Sequence, residues 1–376
     1  CINPKQHKQR CLRYLGGLWD LVRYPLLHSL TKTPMAINKQ AQEQIKTVIL
    51  SIRTIYERYR IANKWTSYQN QIGLGIMLIT NMLIMSLCLC WFMAWIPTWV
   101  IVILIAFLTS ILHELEHDLI HELYFKRNKV LYHLMMLGVY IFRPISLNPW
   151  IRKYWHHFHH QHSGMPFDIE ERGITNGDRF SLLRLIVLPD LLLSGILRMP
   201  RLRKEILIEY KKGNLSKKDL SLIIRTVLFG LLPLGVPLTL LWYAYVIFHV
   251  IQWIGYPLSQ LITVMEWIQP LMVLLVMPNL IRQFALHFVS SNMHYYGDIE
   301  HGNVIQQCQI FNPWWSFPLQ WFCFFFGTTH AIHHFVVNEP FYLRQLTRKA
   351  AQHVLLMHGV RFNDVKSLKH ANRYHH

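Results

Sequence analysis

The chain has 376 residues, of which 52% are hydrophobic and only 15% are charged, and its formal net charge is +18 at pH 7. This composition excludes an ordinary soluble domain and is typical of a membrane protein. The basic charge does not indicate nucleic-acid binding, because no basic run belongs to a recognisable binding module. The six cysteines include no Cys-x-x-Cys pair, so neither a disulfide framework nor a zinc ribbon is predicted.

Lysine and arginine are absent from two long apolar stretches, residues 65–125 and 226–281. A membrane-spanning helix needs about 20 apolar residues, so each stretch is long enough for two spans and a turn. The four predicted spans cover approximately residues 72–95, 100–112 and onward, 222–249, and 267–286. The sequence therefore predicts an all-α integral membrane protein with four transmembrane helices in two hairpins.

The positive charge is distributed unevenly about these spans. Twelve Lys and Arg residues lie in the first 64 residues and many more lie between residues 126 and 225, whereas both predicted turns contain none. By the positive-inside rule we expect a multi-pass protein with both termini in the cytoplasm. The positive charge then orients the protein in the membrane and attracts anionic lipid headgroups, or it forms a docking face for an acidic redox protein. Interfacial tryptophans are expected at Trp91, Trp95, Trp99, Trp253 and Trp267.

The segments outside the spans are predicted to form a cytoplasmic helical cap. Residues 132–142 are too short to span, residues 182–197 are expected to lie flat on the membrane, and residues 204–218 are expected to be a solvated linker. The predicted organisation is a basic N-terminal segment 1–71, a membrane domain 72–341 and a cytoplasmic tail 342–376. Because the chain opens on Cys, we expect its true start to be missing, and its polar first 20 residues do not form a signal peptide.

Histidines recur in groups near the ends of the predicted spans. The first group is His113-Glu114-Leu115-Glu116-His117, followed four residues later by His121. Residues four apart lie on one face of a helix, so two of these imidazoles can hold one metal ion. The motif also matches the zinc-protease pattern of two histidines with an intervening glutamate. That interpretation leaves the other groups unexplained, and an isolated pair is otherwise a surface feature.

Two later groups share the spacing His-x-x-His-His, which places three imidazoles together on a helix. They are His156, His159 and His160, and His330, His333 and His334. Crowded imidazolium charges would repel one another, so the clustering favours a cation between neutral rings. A histidine-rich tract with loose metal affinity is the alternative. His294 follows the fourth predicted span, and an even number of spans puts it on the same side as the groups.

Acidic residues lie beside the histidine groups in the sequence. Ligating imidazoles usually donate their second N–H to a carboxylate or carbonyl, so we expect one or two of these acids to orient ligands. The candidates are Glu114, Asp118, Asp168, Glu170, Asp298 and Glu339.

The order of these motifs, interleaved with two membrane hairpins, resembles the membrane fatty acid desaturase and alkane hydroxylase superfamily from about residue 72 to residue 341. The resemblance implies two iron ions (Fe2+/Fe3+) that activate O2 and abstract hydrogen from a lipid chain. The implied ligands are His113, His117, His156, His159, His160, His294, His330, His333 and His334. Animal acyl-CoA desaturases have Asn four residues before the lone histidine, where this chain has Ser290, so a tenth ligand is not expected.

The resemblance implies a membrane-bound non-haem di-iron oxidoreductase, with a fatty acid desaturase as the leading interpretation. Hydrocarbon oxidation needs a redox metal, which zinc is not. Hydroxylation, and oxidative decarboxylation of a fatty acid to a terminal alkene, begin with the same hydrogen abstraction and stay open. No haem, flavin or iron–sulfur motif is present in the chain, so we expect a separate electron donor such as a ferredoxin, rubredoxin or cytochrome. The alternative of another class is a histidine-rich membrane metal transporter or sensor, which would place its ligands within the spans.

Overall fold

A computed structural model describes residues 38–376 of the chain. The predictions about the true start and the signal peptide concern the first 37 residues and lie outside the described residues. Within 38–376 the secondary structure is helical and no β-strand forms. The α-helices are α1 (Lys39–Ala62), α2 (Gln69–Phe92), α3 (Thr98–Ile120), α4 (Lys129–Tyr140), α5 (Pro149–His162), α6 (Ile169–Gly173), α7 (Leu182–Val187), α8 (Leu191–Lys211), α9 (Lys217–Phe229), α10 (Gly235–Trp253), α11 (Ile262–Leu271), α12 (Met277–Met293), α13 (Val304–Gln307), α14 (Phe317–Phe322), α15 (Phe326–Phe335), α16 (Phe341–Met357) and α17 (Lys366–Lys369).

Four helical segments in the described part of the chain are long and apolar enough to cross a membrane. They are Lys64–Phe92, Thr98–Ile120, Gly235–Trp253 and Ser259–Met293. The predicted number of spans agrees with this count, and the first two lie close to their predicted positions. Residues 38–376 are therefore all-helical, with four candidate membrane spans.

The third span begins later than predicted. Residues 222–229 belong to α9, which ends at Phe229, and the chain turns before α10 starts at Gly235. The interruption contains Gly230 and Pro233. Proline has no N–H to donate to the preceding turn of a helix, and glycine is costly within one, so the predicted continuous helix over 222–249 is wrong.

The fourth span is longer than predicted because it continues through an irregular turn. A π-helical turn at Met272–Val276 joins α11 to α12, and Pro270 lies just before it. Proline removes one helical hydrogen bond, and a wider turn accommodates the interruption without ending the helix. The span then extends to Met293, immediately before His294.

The outward faces of the candidate spans are apolar, as a hydrocarbon environment requires. On α2, Ile79, Met82 and Met85 are each more than half exposed. Four of the five tryptophans predicted at the membrane interface are also exposed, namely Trp95, Trp99, Trp253 and Trp267, whereas Trp91 is half-buried. Bulky apolar side chains that face outward on a soluble protein would be unusual in such numbers, so this surface fits lipid.

Two surface segments depart from the predictions. The predicted linker over 204–218 is helical as far as Lys211, because α8 extends to that residue. A new helix then begins at Ser216, whose side chain and that of Asp219 form a reciprocal cap. Along 182–197 the chain forms α7 and the start of α8, and Leu182, Ile196 and Leu197 are exposed. An exposed apolar face of this kind fits the expectation that the segment lies on the membrane.

Helix α3 is the central element that positions the histidines. It packs against α2, α4, α5 and α12, and from Leu112 to Ile120 every residue is buried. Helix α12 runs along α3. Helix α15 packs between α12 and α16, and α16 in turn contacts α1. The ends of α3 and α12 therefore meet α5 and α15 at one place.

Candidate metal centre

Four segments that are distant in sequence bring histidines together. His117 and His121 come from the last turn and the C-cap of α3. The second group lies on α5, the third lies on α15, and His294 is the residue that ends α12. An antiparallel bridge between His294 and Cys308 holds the backbone where α12 stops. The clustered side chains are buried or half-buried, so the surrounding helices exclude most water.

One set of five histidines converges with ligand nitrogens within 4.8 Å of one another, and we name it the five-histidine cluster. Its members are His117, His121, His156, His160 and His333. Nε2 of His333 lies 3.0 Å from Nε2 of His121 and 3.0 Å from Nε2 of His160. Nε2 of His160 lies 3.1 Å from Nε2 of His156. Each of the three longer motifs contributes to this cluster.

A second set converges in the same way and is the four-histidine cluster, formed by His159, His294, His330 and His334. Nε2 of His334 lies at its centre, 3.1 Å from Nε2 of His330 and 3.2 Å from Nε2 of His294. The Nε2 atoms of His159 and His334 are 3.4 Å apart. All four rings are buried.

These separations fit shared metal ions. A metal–imidazole bond is about 2.1 Å long, which puts neighbouring ligand nitrogens about 3.0 Å apart at octahedral angles and about 3.4 Å apart at tetrahedral angles. The measured separations of 3.0 to 3.4 Å fall within that range. Buried ring nitrogens without partners point the same way: within the described part of the chain, neither nitrogen of His117 has a hydrogen bond. A cation would satisfy them, since unpaired buried polar atoms are costly.

The two clusters adjoin each other. His159 and His160 are consecutive on α5, His333 and His334 are consecutive on α15, and each pair divides its members between the clusters. The ring centres of His160 and His334 lie 4.8 Å apart across the boundary. The arrangement can therefore hold two metal ions side by side.

Eight of the nine histidines implied by the resemblance lie in these clusters, and His113 does not. Its Nδ1 instead lies 3.2 Å from Nη1 of Arg143 and 3.5 Å from Nη1 of Arg152. His121, which the resemblance did not assign, occupies the remaining place. His113 and His121 each lie four residues from His117 along α3, so spacing does not tell which of the two joins the clusters. Only the position of the end of α3 relative to α5 and α15 distinguishes His113 from His121.

The protease-like motif does not assemble into a protease site. His113 and His117 do not share a cluster, and Glu114 faces away to Arg344, whose Nη2 lies 3.4 Å from its Oε2. A zinc protease needs both histidines on one ion with the glutamate beside the bound water. The geometry therefore excludes that interpretation of the motif.

Carboxylates face the outer nitrogens of three clustered rings. Oδ2 of Asp168 lies 2.8 Å from Nδ1 of His159, and Oε2 of Glu170 lies 3.0 Å from Nδ1 of His156. Oε2 of Glu171 lies 3.3 Å from Nδ1 of His294. Such contacts fix the tautomer and orientation of a ligating imidazole and raise its basicity. Asp168 and Glu170 were among the expected partners, whereas Glu171 follows directly in the sequence and was not.

The other expected acids are engaged elsewhere. Asp118 accepts hydrogen bonds from the Tyr124 hydroxyl and the Phe341 amide, and it pairs with Arg344 at 3.2 Å. Arg344 also donates to Nδ1 of His333 over 2.9 Å. Glu339 pairs with Arg60, and Asp298 accepts from two amides of the C-terminal segment. Asp118 therefore reaches a clustered histidine only through Arg344.

Ser290, four residues before His294, is not directed at the metal clusters. Its hydroxyl donates to Oε1 of Glu171 over 3.3 Å, and its carbonyl oxygen lies 2.9 Å from Nδ1 of His294. Ser290 thus orients His294 from behind and has no group among the ligand nitrogens. This agrees with the expectation that no tenth ligand comes from this position.

Burial and mutual repulsion keep most of the rings neutral. Burial, followed by the neighbouring histidines, lowers the pKa of His160, His333 and His334 well below the usual value for imidazole. His159 differs: burial lowers its pKa, but the adjacent carboxylate of Asp168 outweighs this and raises it to about 9. Neutral imidazole is the form that binds metals, so rings such as His160, His333 and His334 can bind without first losing a proton, whereas His159 must release one.

A cavity of about 600 Å³ opens beside the clusters, which is within the usual range for small-molecule sites. Its lining includes His156, His159 and His330 together with many apolar side chains of α8 and α9. Arg143, Arg152 and Arg282 also line it. An apolar ligand in this cavity would lie directly against both histidine clusters.

A comparison with sequence models of protein families matches residues 93–366 to the model described as "Fatty acid desaturase". The match covers more than half of the chain and includes every histidine of both clusters. No curated protein and no solved structure matched the chain in the parallel comparisons. Together with the four candidate spans and the paired histidine clusters, the match shows that the chain belongs to the fatty acid desaturase family.

Proposed function

We propose that the protein is a membrane-bound di-iron oxidoreductase that uses O2 to remove hydrogen from the hydrocarbon chain of a fatty acid or fatty acyl lipid, with desaturation as the reaction. The observation that carries this proposal is the pair of adjoining histidine clusters whose members help to line a largely apolar cavity. Family membership supports an oxidoreductase of this kind. The buried rings and the apolar walls suit a substrate that is itself hydrocarbon.

The proposed ligands of the first ion are the five-histidine cluster and those of the second are the four-histidine cluster. This replaces His113 with His121 in the set implied by the resemblance. Iron fits better than zinc, because an all-imidazole site accepts either metal but only iron is redox-active. When bound, iron would supply the activation of O2 and the abstraction of hydrogen.

The chain's own residues prepare the site for that chemistry. Asp168, Glu170 and the carbonyl oxygen of Ser290 accept the Nδ1 protons of His159, His156 and His294, which leaves each Nε2 free to bind metal. The cavity walls exclude water from the reacting carbon, which protects a reactive oxidant from side reactions. The position of the cavity end relative to the clusters decides which carbon is attacked.

We further propose that the four spans form two hairpins, with both termini and the metal centre on the cytoplasmic side under a helical cap. The basic residues that flank the spans support this orientation. The electrons would come from a separate protein, such as a ferredoxin, rubredoxin or cytochrome, docking on the basic cytoplasmic face. The domain limits 1–71, 72–341 and 342–376 stay a prediction.

Hydroxylation and oxidative decarboxylation use the same metal centre and remain alternative outcomes. The transporter interpretation gains no support, because the clustered histidines lie at and beyond the ends of α3 and α12 and not in the middle of the spans. Metal flux without a lipid product would favour it.

The test combines metal analysis with lipid analysis. The full chain and a His159→Ala variant are expressed, iron and zinc are measured on detergent-purified protein, and the fatty acids and hydrocarbons of the expressing cells are profiled. We expect about two irons per chain and a new unsaturated product, both reduced in the variant. Zinc or no metal, with unchanged lipids, would contradict the proposal. A hydroxylated or one-carbon-shorter product would identify one of the alternative reactions.

A further inference from the structure

Arg282 is a buried cation inside a candidate membrane span. Its side chain is only 1% exposed, and it lies on α12 one helical turn after Asn279. Its Nε donates to Oδ1 of Asn279 over 3.0 Å, and its Nη2 donates to the Ser146 hydroxyl over 2.6 Å. Both partners are neutral. An ionisable group in a span is costly and is retained where a charged partner or a function requires it.

The protein does not supply that partner to Arg282. Among the described residues no carboxylate lies within 4 Å of its guanidinium, unlike the other arginines that line the cavity, Arg143, Arg152 and Arg172. Arg143 and Arg152 both pair with Glu116, and Arg152 also pairs with Glu170. A buried charge without a counter-ion is strongly unfavourable, so an anion is expected to enter from the cavity.

The glutamates that line the cavity do not supply a partner to Arg282 either. Glu116 pairs with Arg143 and Arg152, and Glu170 contacts Arg152 and His156. Glu171 faces His294, and Glu205 and Glu209 pair with Arg172 and Lys212. A guanidinium can bind the two oxygens of a carboxylate through parallel hydrogen bonds, which makes arginine a selective partner for that group.

The remainder of the cavity is suited to a hydrocarbon chain. Its walls include Leu192, Ile196 and Met199 of α8 and Ile223 and Val227 of α9. The site therefore combines a buried arginine that has no carboxylate partner among the described residues with apolar walls, as an amphiphile with an anionic head requires.

We propose that the substrate is a free fatty acid whose carboxylate pairs with Arg282, so that its first carbons lie against His156, His159 and His330. This inference rests on the proposed function, since it names the substrate class of the same site. A carboxylate fits Arg282 because the two oxygens of this group can accept parallel hydrogen bonds from the guanidinium, which is almost fully buried. A thioester or ester carbonyl has no charge to neutralise Arg282.

Binding measured without turnover tests this proposal. Wild-type protein in nanodiscs is loaded with a saturated fatty acid, its methyl ester, the matching alkane or the acyl-CoA, and affinity is measured by thermal stabilisation over a ligand series. We expect the free acid to bind about 10- to 100-fold more tightly than the ester and the acyl-CoA. Equal affinity for acid and ester, or tighter binding of the acyl-CoA, would overturn it. This comparison requires no variant.

An Arg282→Gln variant then locates the contact, with Arg53→Gln on the exposed face of α1 as the matched control. We expect R282Q to lose the preference for the acid while it keeps its affinity for the alkane, and R53Q to behave as wild type. Where R282Q is unstable, Arg282→Lys keeps the charge, and we expect it to retain part of the preference. The contact would be refuted if R282Q, or R282K where R282Q is unstable, preferred the free acid over the ester as strongly as the wild type does. Because these readouts need no metal, a failure here leaves the iron and lipid tests of the proposed function unaffected.

Discussion

The two histidine clusters are built from the same helices, yet they differ in number and in support. The five-histidine cluster has one direct carboxylate contact, from Glu170 to His156, and an arginine contact from Arg344 to His333. The four-histidine cluster has fewer rings but two carboxylates, Asp168 and Glu171, on its outer nitrogens. The cluster with fewer histidines thus has more carboxylates beside its rings.

This difference indicates that two metal ions bound to these clusters would not be equivalent. A cluster with four imidazoles leaves more room in the coordination sphere, and its carboxylates raise the basicity of the ligands that remain. A cluster with five imidazoles depends less on any single ring. We therefore expect substitutions in the four-histidine cluster to have larger effects than matched substitutions in the five-histidine cluster.

The largest effect is expected from His159→Ala. The change removes one of four ligands and leaves the buried Asp168 without its partner, so we expect activity to be lost and iron to fall from about two to about one per chain. Lipid profiling and metal analysis measure both results. His353→Ala, at an exposed position of α16, is the control and should leave both unchanged. Full activity in H159A would exclude His159 as a ligand.

A second prediction separates His121 from His113 on the same helix. His121→Ala removes one of five ligands, so we expect reduced iron and a loss of activity that is large but smaller than in H159A. His113→Ala should keep its iron, because this ring faces Arg143 and Arg152 and lies outside both clusters. Metal content of the two variants decides between the assignments. Iron loss in H113A with retention in H121A would restore the set implied by the resemblance.

Substitutions of the neighbouring carboxylates test how strongly iron binding at each cluster depends on them. Asp168→Asn keeps the shape of the side chain but removes its charge from His159, and we expect iron affinity to fall about 10- to 100-fold. Glu170→Gln acts on the five-histidine cluster and should weaken iron binding less. Chelator competition measures both affinities. Equal losses, or a larger loss in E170Q, would contradict the asymmetry.

The smallest effect is expected from Glu114→Gln. Glu114 contacts Arg344 and does not face the clusters, and Asp118 still pairs with Arg344 after the change. We expect unchanged iron content and less than about a tenfold loss of activity, since the buried arginine keeps one counter-charge. Metal analysis and product formation report the result. Complete loss of activity with intact metal would reveal a direct chemical role for this glutamate.

If the carboxylate of the substrate binds at Arg282, the two clusters face the first carbons of the chain. Arg282 would then recognise the carboxylate of the substrate, and the apolar walls along α8 and α9 would select the length of its chain. Product analysis with fatty acids of several lengths would locate the attacked carbon. Attack near the carboxyl group would favour hydroxylation or decarboxylation over desaturation in the middle of the chain.

The amino-acid sequence alone was enough to predict four spans, their approximate positions and eight of the nine clustered histidines. These features depend on local properties, namely the length of apolar runs and the repeat of histidines along one helix face. The same local signals placed Asp168 and Glu170 near the ligands, because they follow α5 directly. Local signals were insufficient at Gly230 and Pro233, where a continuous helix was expected.

Other features depend on how distant segments meet in space. His113 and His121 have the same spacing to His117, and only the packing of α3 against α5 and α15 places His121 in the five-histidine cluster. Likewise, Arg143, Arg152 and Arg282 are up to 139 positions apart in the chain and meet only in the folded cavity. Spacing along a helix specifies which side chains share a face, but the three-dimensional arrangement of helices determines what that face contacts.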